Sequence, residues 1–132
     1  MLKKTITYTD YNGIERKEDF YFNLTQTECR EMDLSSEGGM IERINKIIDA
    51  KDVPALYKLF KGIILESYGE KSADGKRFEK KNGELALAFS ETEAYNILMN
   101  ELVTDAQASA EFVNGVIPKI AEAPAEVRPA IK

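Results

Sequence analysis

The hydrophobic pattern changes period once, at Leu24, and that change limits the folds open to the chain. Upstream, Thr5-Ile6-Thr7-Tyr8-Thr9 alternates with a period of two, and Phe20-Tyr21-Phe22 supplies a second apolar segment rich in β-formers. Asn12 and Gly13 between them tolerate positive φ, so residues 3–23 read as a β-hairpin. A two-residue turn at Asn12-Gly13 would set Ile6 opposite Asp19. A three-residue loop, Asn12 to Ile14, sets Ile6 opposite Phe20 and Tyr8 opposite Glu18. The second register pairs apolar with apolar, so a longer loop or a bulge is expected. A lone hairpin is marginal in water and must pack on helices or on another chain.

Downstream the period is helical. Thr25-Gln26-Thr27-Glu28 is a capping box opening a short helix to about Asp33. Ser35 to Gly39 is a break. Met40, Ile41, Ile44, Ile47 and Ile48 then line one helical face. Asp52 can cap the next helix, with Pro54 tolerated in its first turn. There Val53, Leu56, Tyr57, Phe60, Ile63, Ile64 and Tyr68 fall at core spacing, and Gly69 stops the run. Residues 70–82 read as a charged loop with five bases, three acids, a turn at Asp74-Gly75 and Phe78 as its main apolar anchor. Glu84 to Phe89 is a short helical piece. Ser90 to Glu93 and Thr104 to Gln107 read as two more capping boxes, opening helices over 91–103 and 105–117. The expected fold class is α+β. A single, mostly α-helical domain covers 1–118, its N-terminal hairpin (3–23) packed on helices within 25–118, and a disordered C-terminal tail covers 119–132.

The chemistry open to such a chain is narrow. With no histidine and one cysteine, Ser-His and Cys-His nucleophile pairs, internal disulfides and cysteine-rich zinc sites are excluded. Cys29 reads as a small helix residue and fits a reducing cytoplasm. Two carboxylate pairs, Glu91 with Glu93 and Glu28 with Glu31, have local explanations as caps or as anions favoured at helix N-termini. A calcium loop at Asp74-Gly75 is opposed by Lys76, Arg77, Lys80 and Lys81. Gly38-Gly39 lacks the strand and the Lys-Ser/Thr of a phosphate loop. No catalytic residue, cofactor or metal is therefore assigned. The net charge of −5 argues against nucleic acid as a partner. No apolar run approaches the roughly 20 residues that span a bilayer, so no membrane partner is expected.

What remains is contact chemistry. Ile97 and Met99 lie off the Tyr95-Leu98-Leu102 face, and Leu65 widens the stripe of the central helix. Surplus apolar surface of this kind suits another chain, whether a second copy in a homo-oligomer or a different partner.

Several strings carry a family likeness. They are Lys3-Lys4-Thr5-Ile6-Thr7-Tyr8-Thr9-Asp10 with Asn12-Gly13, Glu18 to Thr25, Tyr68 to Ser72, and Asp74-Gly75-Lys76-Arg77-Phe78. Ala88 to Tyr95, Thr104-Asp105-Ala106 and Phe112 to Pro118 complete the set. In these the chain resembles the small tail assembly chaperones of long-tailed phages and prophages of Gram-positive bacteria. The resemblance implies a non-enzymatic protein of the host bacterial cytoplasm. Such a protein binds the tape-measure protein, keeps it soluble, helps recruit tail-tube subunits, and is absent from the mature virion. The binding face is then expected on the late helices, at Tyr95, Leu98, Met99, Leu102, Phe112 and Val113, or in the loop, at Lys76, Arg77 and Phe78. The competing expectations are a structural virion component, such as a head–tail connector or tube-associated protein, and a small carboxylate-based enzyme.

Overall fold

Asp10 sets the first turn. Its Oδ1 accepts from the backbone N–H of Asn12 (2.9 Å) and of Ile14 (3.0 Å). Gly13, at φ 80°, donates to the Asp10 carbonyl, and the Asp10 N–H donates to the Ile14 carbonyl, both at 2.9 Å. This is a bulged loop at Tyr11–Gly13 with glycine in the left-handed position. It joins β1 (Leu2–Thr9) to β2 (Glu15–Phe22). The loop lies one residue earlier than expected, so the register moves by two. Ile6 faces Glu18 rather than Phe20, and Tyr8 faces Arg16 rather than Glu18. The two Asp10 side-chain contacts decide this. A shift of two keeps side-chain parity, so Ile6, Phe20 and Phe22 still share the inward face.

The computed structural model describes residues 1–34 and 39–118, so residues 35–38 of the expected break at 35–39 and the expected tail at 119–132 lie outside them. After β2 the Thr25–Glu28 box forms as read. The Thr25 N–H donates to Glu28 Oε1 (2.8 Å), and the Glu28 N–H donates to Thr25 Oγ1 (3.1 Å). It opens α1 (Gln26–Leu34), and α2 (Met40–Ala50) follows. Asp52 caps α3 (Val53–Ser67) by accepting from the Ala55 N–H. In α3, Phe60, Ile63 and Ile64 are buried, but Val53 and Tyr57 are exposed despite their core spacing.

α3 ends at Ser67, not Gly69, because Tyr68 turns to extended backbone and starts β3 (Tyr68–Lys71). β3 pairs with β2 through Tyr21↔Gly69 and Phe22↔Tyr68. It then pairs with β4 (Phe78–Glu79) through Lys71↔Phe78 and Glu70↔Glu79. The expected charged loop is therefore largely a second hairpin, and the sheet runs β1-β2-β3-β4. Gly69 permits the closure. A Cβ there would come within 2.6 Å of the Phe78 ring and 2.7 Å of the Glu79 carbonyl oxygen.

Among the described residues the remaining α-helices are α4 (Glu84–Ser90), α5 (Glu93–Thr104) and α6 (Ala106–Val116). Their caps correct the two later boxes. Thr92 caps α5 by accepting from the Tyr95 N–H, and Asp105 caps α6 by accepting from the Ala108 N–H. Ser90 and Thr104 are instead last residues of helices, their hydroxyls donating back to the carbonyls of Leu87 and Asn100. The fold class is α+β and mostly helical, with the N-terminal hairpin lying on helices.

The core sits between the inner sheet face and the late helices. Phe22 is fully buried, edge-on to Phe89 (5.7 Å) and Phe112 (5.2 Å). Tyr68 stacks on Phe89 at 4.5 Å. Two polar contacts fasten the hairpin to the far end of the chain. The Leu24 N–H donates to the Val116 carbonyl (3.0 Å), and Lys4 Nζ pairs with Glu101 Oε1 (2.9 Å).

Candidate partner-binding surface

The nine residues expected to face a partner separate into two groups. Leu98, Met99, Leu102, Phe112 and Val113 are buried in the core cluster, with Phe112 lying against Phe22 of the sheet. Tyr95 is half-buried, edge-on to Phe89 at 5.9 Å, and burial pushes its phenol pKa up. The structure therefore places the late-helix group inside the molecule. Sequence periodicity finds an apolar face, but which apolar face is covered depends on the sheet that lies across it.

Lys76, Arg77 and Phe78 come together on the second hairpin. Lys76 and Arg77 are exposed, whereas Phe78 is half-buried against Gly69. Asp74 builds the turn. Its Oδ1 accepts from the Ser72 hydroxyl (2.7 Å) and the Lys76 N–H (3.0 Å), and these two contacts hold its carboxyl below the usual range. That carboxylate is spent on the turn rather than free for a ligand. Arg77 pairs with Glu79 at 2.9 Å, and the Lys71 ammonium sits 4.6 Å from the centre of the Tyr21 ring. The hairpin thus carries Lys71, Lys76 and Arg77 beside Glu70, Asp74 and Glu79, with Arg77 already ion-paired.

Lys80 anchors this hairpin to the body. Its ammonium donates to the Asn23 carbonyl (3.0 Å), the Glu66 carbonyl (2.6 Å) and Glu28 Oε2 (2.7 Å). Partial burial of Glu28 raises its carboxyl pKa, but the bonds from Lys80 and the Thr25 N–H outweigh that and leave it lowered. Glu28 is therefore committed to the cap and the ion pair. Glu93 likewise accepts from the Tyr11 hydroxyl (3.0 Å) and from Asn96 (3.2 Å). One member of each candidate carboxylate pair already has structural work.

Two surface features escape the sequence pattern. One is a crevice of about 290 Å³ where the start of α3 meets the α5–α6 junction, lined by Ile48, Val53, Leu56, Phe60, Leu102 and Ala106 among others. Val53 and Tyr57 stand exposed on that first part of α3, and Leu102 is the one expected partner residue that lines the crevice. The other is a cavity of about 430 Å³ among α1, α2 and α3, with Glu28, Glu31, Arg43 and Lys58 around Met32 and Ile63. A signal for the first exists, since Val53 and Tyr57 are apolar residues beside a helix start marked by an aspartate and a proline. Their exposure follows only once helix packing is known.

Among the described residues, no helix is long and apolar enough to cross a membrane, and no group of three acidic or cysteine side chains is placed to hold a metal ion. No curated protein and no solved structure matches the chain. A family model described as phage tail assembly chaperone matches residues 1–128. That match spans both hairpins and all the helices that carry the surfaces above, and the chain belongs to the phage tail assembly chaperone family.

Proposed function

We propose that the chain binds the tape-measure protein of a long-tailed phage, keeps it soluble and helps recruit tail-tube subunits while the tail is built. It acts in the host cytoplasm and is left out of the finished particle. Membership of the tail assembly chaperone family carries this reading. The surfaces support it. A holdase needs apolar surface that a helical client can cover, and the crevice at Val53, with Tyr57 exposed one turn further along α3, offers it. Leu102 reaches that crevice from α5, while Tyr95, Leu98, Met99, Phe112 and Val113 set the packing of α5 and α6 that shapes its wall. The hairpin with Phe78 offers the exposed Lys76 and Arg77 to an acidic client segment.

The test is co-expression with segments of the tape-measure protein. The chain should raise their soluble fraction, and the pair Val53→Glu and Tyr57→Glu should reduce that gain. Lys76→Glu with Arg77→Glu should weaken binding most at low salt. Segments that stay equally insoluble with and without the chain would overturn the reading. Mass spectrometry of purified particles should find no copies, and stoichiometric copies would favour a structural component instead.

A further inference from the structure

We propose that β1 is the dimer edge of this protein, pairing antiparallel with β1 of a second copy to make one continuous sheet. β1 ends the sheet, and among the described residues no strand pairs with its far side. The bond from the Asp10 N–H to the Ile14 carbonyl fixes which backbone groups face that side. Antiparallel ladders alternate, so Leu2, Lys4, Ile6 and Tyr8 exchange hydrogen bonds with β2. The N–H and C=O groups of Lys3, Thr5, Thr7 and Thr9 therefore point outward along the free edge. All four of these side chains are exposed. The edge is eight residues long, carries no proline, and is rich in threonine.

Charge selects a second copy and a register. The ladder within one copy places Lys3 beside Tyr21, Thr7 beside Lys17, and Thr9 beside Glu15. If Thr5 of one copy faces Thr7 of the other, Lys3 faces Thr9, and the next residue across the sheet is the partner's Glu15. Opposite charges then stand two strands, about 10 Å, apart twice by symmetry, a separation over which they attract at low ionic strength. Sliding the strands so that Thr5 faces Thr5 would instead put Lys3 beside Thr7 and next to the partner's Lys17, like against like. Ile6 faces Ile6 in the favoured register. Ile97, 43% exposed, adds to the contact. It lies between Glu93 and Glu101 on the stripe of α5 that runs along this hairpin, where Tyr11 meets Glu93 and Lys4 meets Glu101. This proposal does not depend on the chaperone role.

Lys3 and Glu15 lie at opposite ends of the hairpin within one copy, so any coupling between them must cross between copies. Sedimentation equilibrium on the full chain at low salt should show a concentration-dependent dimer. Lys3→Glu alone and Glu15→Lys alone should each weaken it about threefold to tenfold, and the double swap should restore it. Thr7→Pro removes an outward N–H that the β1–β2 ladder does not use and should leave a monomer. A monomer for the parent chain up to about 1 mM, a dimer indifferent to Thr7→Pro, or swaps that do not compensate would each overturn the proposal. The swap cycle alters only exposed side chains, so it decides the matter even if Thr7→Pro fails to fold.

Discussion

Lys80 ties its hairpin to two other stretches of chain, meeting residues 23 and 28 in one and residue 66 in the other with one ammonium. Each of its N–H donors has an acceptor, so replacing it leaves two carbonyls and a partly buried carboxylate without their partner. Lys80→Met, which keeps the apolar stem, should cost about 2–3 kcal/mol in urea unfolding. Its partner makes part of this stability pH-dependent. The Glu28 carboxyl is lowered in the folded state, so its contribution is fully present above the unfolded pKa and fades as pH falls through the folded one. The parent chain should therefore lose stability faster than Lys80→Met on acidification from about pH 5 to about pH 3. Gly69 is a second residue on which much rests. A methyl group added there would sit 2.7 Å from the Glu79 carbonyl oxygen, so Gly69→Ala should destabilise by about 2 kcal/mol, read as a lower thermal midpoint. Neither residue is conspicuous in sequence. Lys80 is one base among five, and Gly69 reads as a helix stop, because the groups each one meets are distant along the chain.

Elements are legible where their signal is local and long. The first hairpin, the Thr25–Glu28 box and the helices at 40–50 and 53–67 follow from alternation, turn chemistry and apolar spacing. The second hairpin is not legible, because β3 has four residues and β4 two, too few for alternation to show. Its pairing rests on Gly69 and on Asp74 folding the turn back. The two later caps read one or two residues early, since Ser90, Thr92, Thr104 and Asp105 are all good cap residues and only backbone geometry chooses among them. This choice can be measured. Thr92→Ala should lower stability by about 1 kcal/mol, whereas Ser90→Ala should stay within about 0.5 kcal/mol, both by thermal unfolding. The candidate site divides the same way. The cations at Lys76 and Arg77 are exposed as their type suggests, but the apolar late-helix face is covered by the sheet.

Across the whole molecule, the first elements of the chain are completed by the last. Phe112 meets Phe22, Gly115 packs under Leu2, and the Val116 carbonyl holds the Leu24 N–H. A chain ending after Asp105, without α6, should lose its cooperative thermal transition and be cut rapidly in limited proteolysis at its N-terminal hairpin. This closure has a consequence during synthesis. A nascent hairpin leaves the ribosome early, yet its apolar face lacks a complete floor until about ninety further residues have followed it out. At a translation speed of roughly 5–20 residues per second, that is an interval of several seconds in which an unfinished sheet is open to other chains. Among the described residues, closure of this core is thus timed by α6. A stop upstream of Val116 would release a hairpin whose apolar face is never fully covered.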